Sequence, residues 1–277
     1  LEKGKVPGHR NVTGGTLFGT YQDRYGLVNL IPDFENEAPI ERKITDHLTY
    51  LLDKPKEKKG EYSYKFSVIT KDSFPSKVGL IHSPKATGKD YSVLRVKFDK
   101  WLASKAAEAG AMIATEATVD DLIFKDDAVI GVRVFDEELY SDVVIDASGV
   151  TSQLIQRAGL RKKLEPEDVY HGVKHVYSLD SKAIEERFGV QEGEGKDIVC
   201  LGEFMEGVNG GAFLYPNKDT ISVGVVASLD SIVEQTTKNP HKIGKPLDLL
   251  ENFERHPMIS EILEGAVMEE YSSHNIP

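Results

Sequence analysis

Several short stretches of this 277-residue sequence hold residues whose type and spacing could carry chemistry. The stretch "LEKG" at 1–4 puts Glu2 at what reads as the end of a strand. In a βαβ unit that binds a dinucleotide, the second strand ends in such an acidic residue, because an acceptor-only carboxylate suits ribose hydroxyls. The stretch "NVTGG" at 11–15 supplies Gly14 and Gly15, where backbone without a Cβ can pass close to a flat ring or a pyrophosphate. The same pair also serves a plain tight turn. Arg95 stands just ahead of a helix-like run, and its guanidinium is shaped for bidentate contact with phosphate. In "YHGVKHV", His171, Lys174 and His175 are ionisable groups on one strand, with His171 and Lys174 on different faces, so a proton donor can stand among them.

Composition narrows these chemistries. The net charge of -11 and the lack of a basic stripe speak against nucleic acid, whose phosphates need neutralising. The dense basic run "KPKEKKGEY" at 54–62 reads as a solvated hairpin tip. A single cysteine, Cys200, allows no internal disulfide, predicts a reducing compartment and cannot hold an iron–sulfur cluster. The sequence contains no metal-ligand cluster, and no window approaches the roughly 18 apolar residues of a membrane span. A cytoplasmic setting is expected. The "NVT" glycosylation pattern is discounted on that ground.

The elements that must hold these residues are legible in part. Residues 98–109 place Phe98, Trp101, Leu102, Lys105, Ala106 and Ala109 at helical spacing, with Gly110 following as a stop. Three β-branched and apolar segments within 111–149, separated by short charged turns, predict a β-meander. A helix is expected at 181–188, capped by Ser181 or Asp180 and ended by Gly189. Strands are expected at 198–204, 211–215 and 220–227, and two helical pieces parted at Pro257 within 246–264. The fold class is α+β. The expected division is 1–165, holding an inserted 55–90 hairpin or loop, and 166–277, a strand-rich sheet.

One phosphate-binding feature is missing from the pattern. The sole G-x-G pair, Gly193 and Gly195, is followed by Ile198 where a third glycine belongs. Yet "PGHRNVTGG" at 7–15, "YSVLRVKFDKWLASKAAEAGA" at 91–111, "VVIDASGVTSQLIQRAGL" at 143–160, "GGAFLYPNKDTISVGVV" at 210–226 and "EEYSSHNIP" at 269–277 occur in a specific order. In these five blocks the whole chain resembles the FixC-type flavoproteins, relatives of electron transfer flavoprotein-quinone oxidoreductase and, more distantly, of geranylgeranyl reductases.

The resemblance implies FAD as cofactor, an α/β FAD-binding part over 1–165 and a substrate- or quinone-side sheet over 166–277. It places Glu2 and Lys3 at the adenosine ribose, Thr13, Gly14 and Gly15 beside the flavin, and Arg95 near its phosphate or ribityl region. It also implies that Val119 lies on the strand facing the adenine edge and that Gly149 lets the chain pass the dinucleotide. The order Asp146-Ala147-Ser148-Gly149 departs from the Ala-Asp-Gly order of many FixC-type proteins and leans toward the reductase branch. Gly210 and Gly211 would admit the isoalloxazine ring, with Tyr215 as an aromatic wall. The activity implied is electron transfer from an electron-transferring flavoprotein to a quinone or a small ferredoxin-like protein. An isoprenoid reductase, or an inactive partner-binding fragment, is the alternative. Family members begin with a Gly-rich loop ahead of "LEKG", so the chain reads as an internal fragment expected to bind FAD poorly alone. Phe74, Val78, Leu80 and Ile81, with nearby lysines, are expected to touch a membrane surface.

Overall fold

The computed structural model describes residues 1–9, 14–19, 26–53, 56–58, 61–63, 65–69, 89–238 and 245–276. Thr13 and the expected membrane-touching segment at 73–88 lie outside them.

The chain builds a nine-stranded mixed sheet from β1 (Gly14–Leu17), β2 (Ile40–Leu52), β5 (Phe66–Ile69), β6 (Tyr91–Leu94), β10 (Tyr170–Ser178), β11 (Glu194–Gly202), β12 (Gly210–Pro216), β13 (Thr220–Ser228) and β14 (Val267–Ile276). Its order is β1-β6-β2-β11-β12-β13-β10-β14, with β5 added beside β2. The β2–β11 pairing is parallel and the others are antiparallel. The sheet thus runs straight across the division drawn at 165/166. A short hairpin joins β3 (Lys56–Lys58) to β4 (Glu61–Ser63).

The helices among the described residues are α1 (Leu27–Leu30), α2 (Phe34–Glu37), α3 (Arg95–Glu108), α4 (Gln153–Arg157), α5 (Ser181–Phe188) and α6 (Leu229–Lys238). The pair α7 (Pro246–Glu254) and α8 (Pro257–Ile262) follows. Local chemistry explains their ends. Asp180 Oδ1 accepts from the Lys182 and Ala183 amides at 3.0 and 3.3 Å, so Asp180, not Ser181, caps α5. Gly189, at φ 58°, closes that helix in the left-handed region. Pro257 opens α8, where its missing N–H costs nothing.

One sheet face is buried under α5, α7 and α8. Ile198, Cys200, Ala212, Leu214, Ile221, Val223 and Val225 alternate along their strands toward Ile184, Leu249, Leu250, Phe253 and Ile259. Burial pushes the Cys200 thiol up to about 12, so it behaves as a small apolar group. A smaller core gathers Phe34, Tyr91, Val93 and Phe98, with Trp101 edge-on to Phe34 at 5.7 Å.

The other face is concave, because the sheet curls sharply. Three strand steps from β6 to β12 would span about 14 Å in a flat sheet. Instead Ser92 Oγ lies 3.4 Å from the Pro216 carbonyl.

The meander forms a separate three-stranded sheet from β7 (Val119–Lys125), β8 (Ala128–Val134) and β9 (Glu137–Tyr140). Its last strand ends earlier than the sequence pattern indicates. Val134 pairs with Glu137 across a two-residue turn in which Phe135 takes φ 53°, so the chain reverses there. The β-rich run at 143–147 follows without strand pairing, and Val143 and Ile145 are exposed. The apolar stretch at 111–118 likewise stays outside the meander. Its backbone bonds the chain start instead: Glu2 N–H donates to Ala114 O at 2.8 Å and Ala117 N–H to Glu2 O at 3.0 Å.

Candidate functional site

Gly14 and Gly15 open β1, and Arg95 opens α3 directly after β6, which pairs with β1. The pairing Gly14↔Leu94 therefore brings them to one place. Together with Thr16, Leu17, Val93 and Phe98 they line a cavity of about 170 Å³. A Cβ on Gly14 would stand 3.1 Å from Leu94 Cδ2 and 3.5 Å from Ser222 Oγ, so a side chain there would need Leu94 to shift by a few tenths of an ångström. On Gly15 it would meet nothing within 4 Å and would fill open space.

Arg95 spends part of its guanidinium on Asp99, with Nε donating to Oδ1 at 2.6 Å and NH2 to Oδ2 at 3.1 Å. Of its five N–H groups, three remain without a partner among the described residues. Asp99 also packs on the chain start, since a Cβ on Gly8 would begin 2.7 Å from Asp99 Cβ. A cavity of this size holds a phosphate, a sugar or one edge of a ring rather than a whole dinucleotide, whose pockets run to several hundred Å³ or more. An open glycine wall and a half-used guanidinium fit the anionic or sugar part of FAD.

The remaining expected residues sit elsewhere. The Glu2 carboxylate accepts from its own turn, Gly4 N–H at 2.6 Å, and Lys3 is exposed. Glu2 is bonded to 114–117, which runs directly into β7, where half-buried Val119 pairs with Val134. Glu2 and Val119 are thus neighbours by connection, as the resemblance implies for an adenosine end. Gly149, at φ 89°, precedes α4 and does not line the Arg95 cavity. Around it, Asp146 accepts from Ser148 N–H at 2.9 Å and from the Ser152 hydroxyl.

Gly14 meets Ser222 although β1 and β13 stand five steps apart in the sheet, about 24 Å if it were flat. The curl thus brings the Gly14 side of β1 to the concave face, while Gly15, Val93 and Phe98 lie on the other side of the β1–β6 pair. Strand register arranges that face in rows. Phe213, Gly224, Lys174 and Ser272 stand opposite one another, and Tyr215, Ser222, Val176 and Glu270 form the next row. Phe213 and Tyr215 stack at 5.0 Å and 14°. A side chain on Gly224 would begin 2.1 Å from Phe213 Cζ, so the ring lies across β13.

The three ionisable residues of β10 now separate. His171 Nδ1 meets Asn275 Oδ1 at 2.6 Å, and His175 Nδ1 meets Glu254 Oε1 at 2.7 Å at the end of α7. Lys174 alone of the three faces the concave side, 6% exposed. Its Nζ lies 3.8 Å from Glu270 Oε1. Burial pushes the ammonium below the ordinary lysine range, against the pull of Glu270.

Sequence reasoning passed over a second polar cluster behind β1. His47 Nδ1 faces Asp197 Oδ2 at 2.9 Å and its Nε2 faces Asp90 Oδ2 at 3.2 Å. Gly19 N–H donates to Asp90 Oδ1 at 2.6 Å, and the Phe18 ring stacks on His47 at 5.3 Å. Asp197 also adds to the burial that raises the Tyr215 phenol. The signal available was polar residues alternating with apolar ones along strands, as at Asp197 beside Ile198.

No family model matches the sequence. The solved structures that resemble it share its fold. A geranylgeranyl bacteriochlorophyll reductase-like protein of Thermoplasma acidophilum superposes with a TM-score of 0.64 at 19% identity, over 99% of this chain and 58% of that one. A flavoprotein/dehydrogenase from Cytophaga hutchinsonii gives 0.59 at 18% identity, over 99% and 59%. The fold is the α+β one that these flavoproteins share. Among curated proteins, the chain is similar to FixC of Escherichia coli K12, 35% identical over 278 aligned residues that cover all of this chain. It spans 58% of the length of that relative. Among the described residues, no helix is long and apolar enough to cross a membrane.

Proposed function

We propose that this chain forms the cofactor-contacting wall and the acceptor face of an FAD-dependent oxidoreductase. In this reading electrons pass from an electron-transferring flavoprotein to a quinone or a small ferredoxin-like protein. The observation that carries the reading is the cavity that the β1–β6 register builds from Gly14, Gly15 and Arg95, in a chain similar to FixC throughout its length.

A bound flavin supplies the redox chemistry. The chain's own residues do the placing. Gly15 keeps the cavity open, and Arg95, steered by Asp99, offers its uncommitted N–H groups to phosphate or ribityl oxygens. Phe213 and Tyr215 give the opposite side a flat aromatic surface.

Titration of FAD into the purified protein, followed by visible absorbance and calorimetry, tests this. Arg95→Ala is expected to weaken FAD about tenfold, the loss of one charge-assisted contact. Gly15→Ala is expected to narrow the cavity and weaken FAD, with thermal stability unchanged because its Cβ meets no atom within 4 Å. Weak uptake by wild type agrees with a chain that spans 58% of its relative, and affinity unchanged in both variants would rule the reading out.

A further inference from the structure

We propose that Lys174 is the recognition residue for a planar, oxygen-bearing ligand of the quinone class, held against the Phe213–Tyr215 pair with the lysine ammonium donating to a ligand oxygen. This rests on the reading of the concave face as the acceptor side.

The placement of Lys174 is unusual. It stands on the penultimate strand of the sheet, opposite Gly224 on one side and Ser272 on the other, and is 6% exposed. A buried ammonium loses its hydration and normally recovers it through hydrogen bonds or a close ion pair. Here the Glu270 carboxylate stands 3.8 Å away, beyond hydrogen-bonding distance, and is itself half exposed. Among the described residues the ammonium has no hydrogen-bond acceptor. Its three donors are therefore available to an incoming oxygen.

The neighbours select the shape of that ligand. Gly224 has no side chain, so the Phe213 ring lies across β13 beside the Lys174 row. Tyr215 continues the same surface at an interplanar angle of 14°. Such a floor favours a flat ring by offset stacking over a tetrahedral group. Lys174 and Ser222 are diagonal partners, about 7–8 Å apart at the backbone, and Ser222 is the residue that Gly14 touches. A ring on this floor would reach from the ammonium toward Ser222.

The test compares two naphthoquinones binding to the purified protein: lawsone, ionised at neutral pH, and uncharged menadione. Wild type is expected to prefer lawsone. Lys174→Met is expected to weaken lawsone by about tenfold or more and menadione by less than about threefold, because the lost contact is charge-assisted. Lys174→Arg should keep the preference for the anion. Glu270→Gln, at an exposed position, should tighten lawsone about threefold by removing the competing carboxylate. Equal weakening of both ligands in Lys174→Met would mark a structural role and overturn the proposal. So would unchanged lawsone affinity, or no preference for lawsone in wild type. FAD affinity is read separately: a Lys174-dependent preference for lawsone together with unchanged FAD affinity in Arg95→Ala and Gly15→Ala would uphold this site and reject the cofactor reading.

Discussion

Replacing Arg42 with methionine is expected to destabilise the chain by about 3–5 kcal/mol, the usual cost of deleting one partner from a buried charged network. Arg42 lies in β2 with its side chain 1% exposed, and all five of its N–H groups are used. Nε donates to Asn217 O at 2.6 Å. NH1 donates to Glu185 Oε1 at 3.2 Å and Glu194 O at 3.0 Å, and NH2 to Ser181 Oγ and Lys218 O, both at 3.1 Å. One side chain thus ties β2 to α5, to the start of β11 and to the turn between β12 and β13. Methionine matches much of the volume and satisfies none of those acceptors. Lysine keeps the charge but has three donors and no planar fork, so Arg42→Lys should fall between methionine and wild type. Urea unfolding with an unchanged m value reads the loss directly, and a loss under about 1 kcal/mol for the methionine variant would contradict it.

Arg42 also shows where the sequence stopped being informative. Features set by neighbours within a few residues were legible: the α5 cap and its glycine stop, the helix break at Pro257, and the strands over 194–228. The α3 helix was legible too, although it begins at Arg95 rather than at 98, which makes Arg95 its first residue. The 13-residue strand β2 was not, because Arg42, His47 and Thr49 interrupt the apolar alternation that marks a strand. Those polar residues are stabilised by partners more than 100 positions away, such as Asp197 and Asn217. The site divides in the same way. Residue types at Gly14, Gly15 and Arg95 flagged them individually. The meeting of Gly14 with Ser222 depends on the curl of the sheet, and that curl is held by long-range contacts such as Arg42 to Asn217.

The second large effect is expected at His47, and it should depend on pH. Both ring nitrogens face carboxylates, and only the doubly protonated ring can donate to both. The hydrogen bond to Asp197 is the main cause raising its pKa; burial opposes it, and Asp90 adds to the rise. A folded pKa above the unfolded value, near 6.5, gives stability that is fully present below about pH 6.5 and is lost as pH rises through the folded value. Wild type should therefore lose stability on going from pH 6 to alkaline pH. His47→Phe keeps a ring to stack on Phe18 but removes one donor from each of the two carboxylates. At pH 6 it should cost about 3–5 kcal/mol. The deficit should shrink as pH rises, because wild type then loses the same contact. Denaturant midpoints at pH 6 and pH 8.5 measure both slopes, and parallel slopes would show that His47 is not the titrating group. The effect should also reach the cavity. Phe18 and Gly19 follow β1 directly, and the Gly19 N–H is bonded to the same Asp90 that holds His47. Loosening that anchor releases the end of the strand that carries Gly14 and Gly15. FAD affinity in wild type is accordingly expected to fall over the same pH range, and in His47→Phe to be weaker at pH 6 and nearly independent of pH.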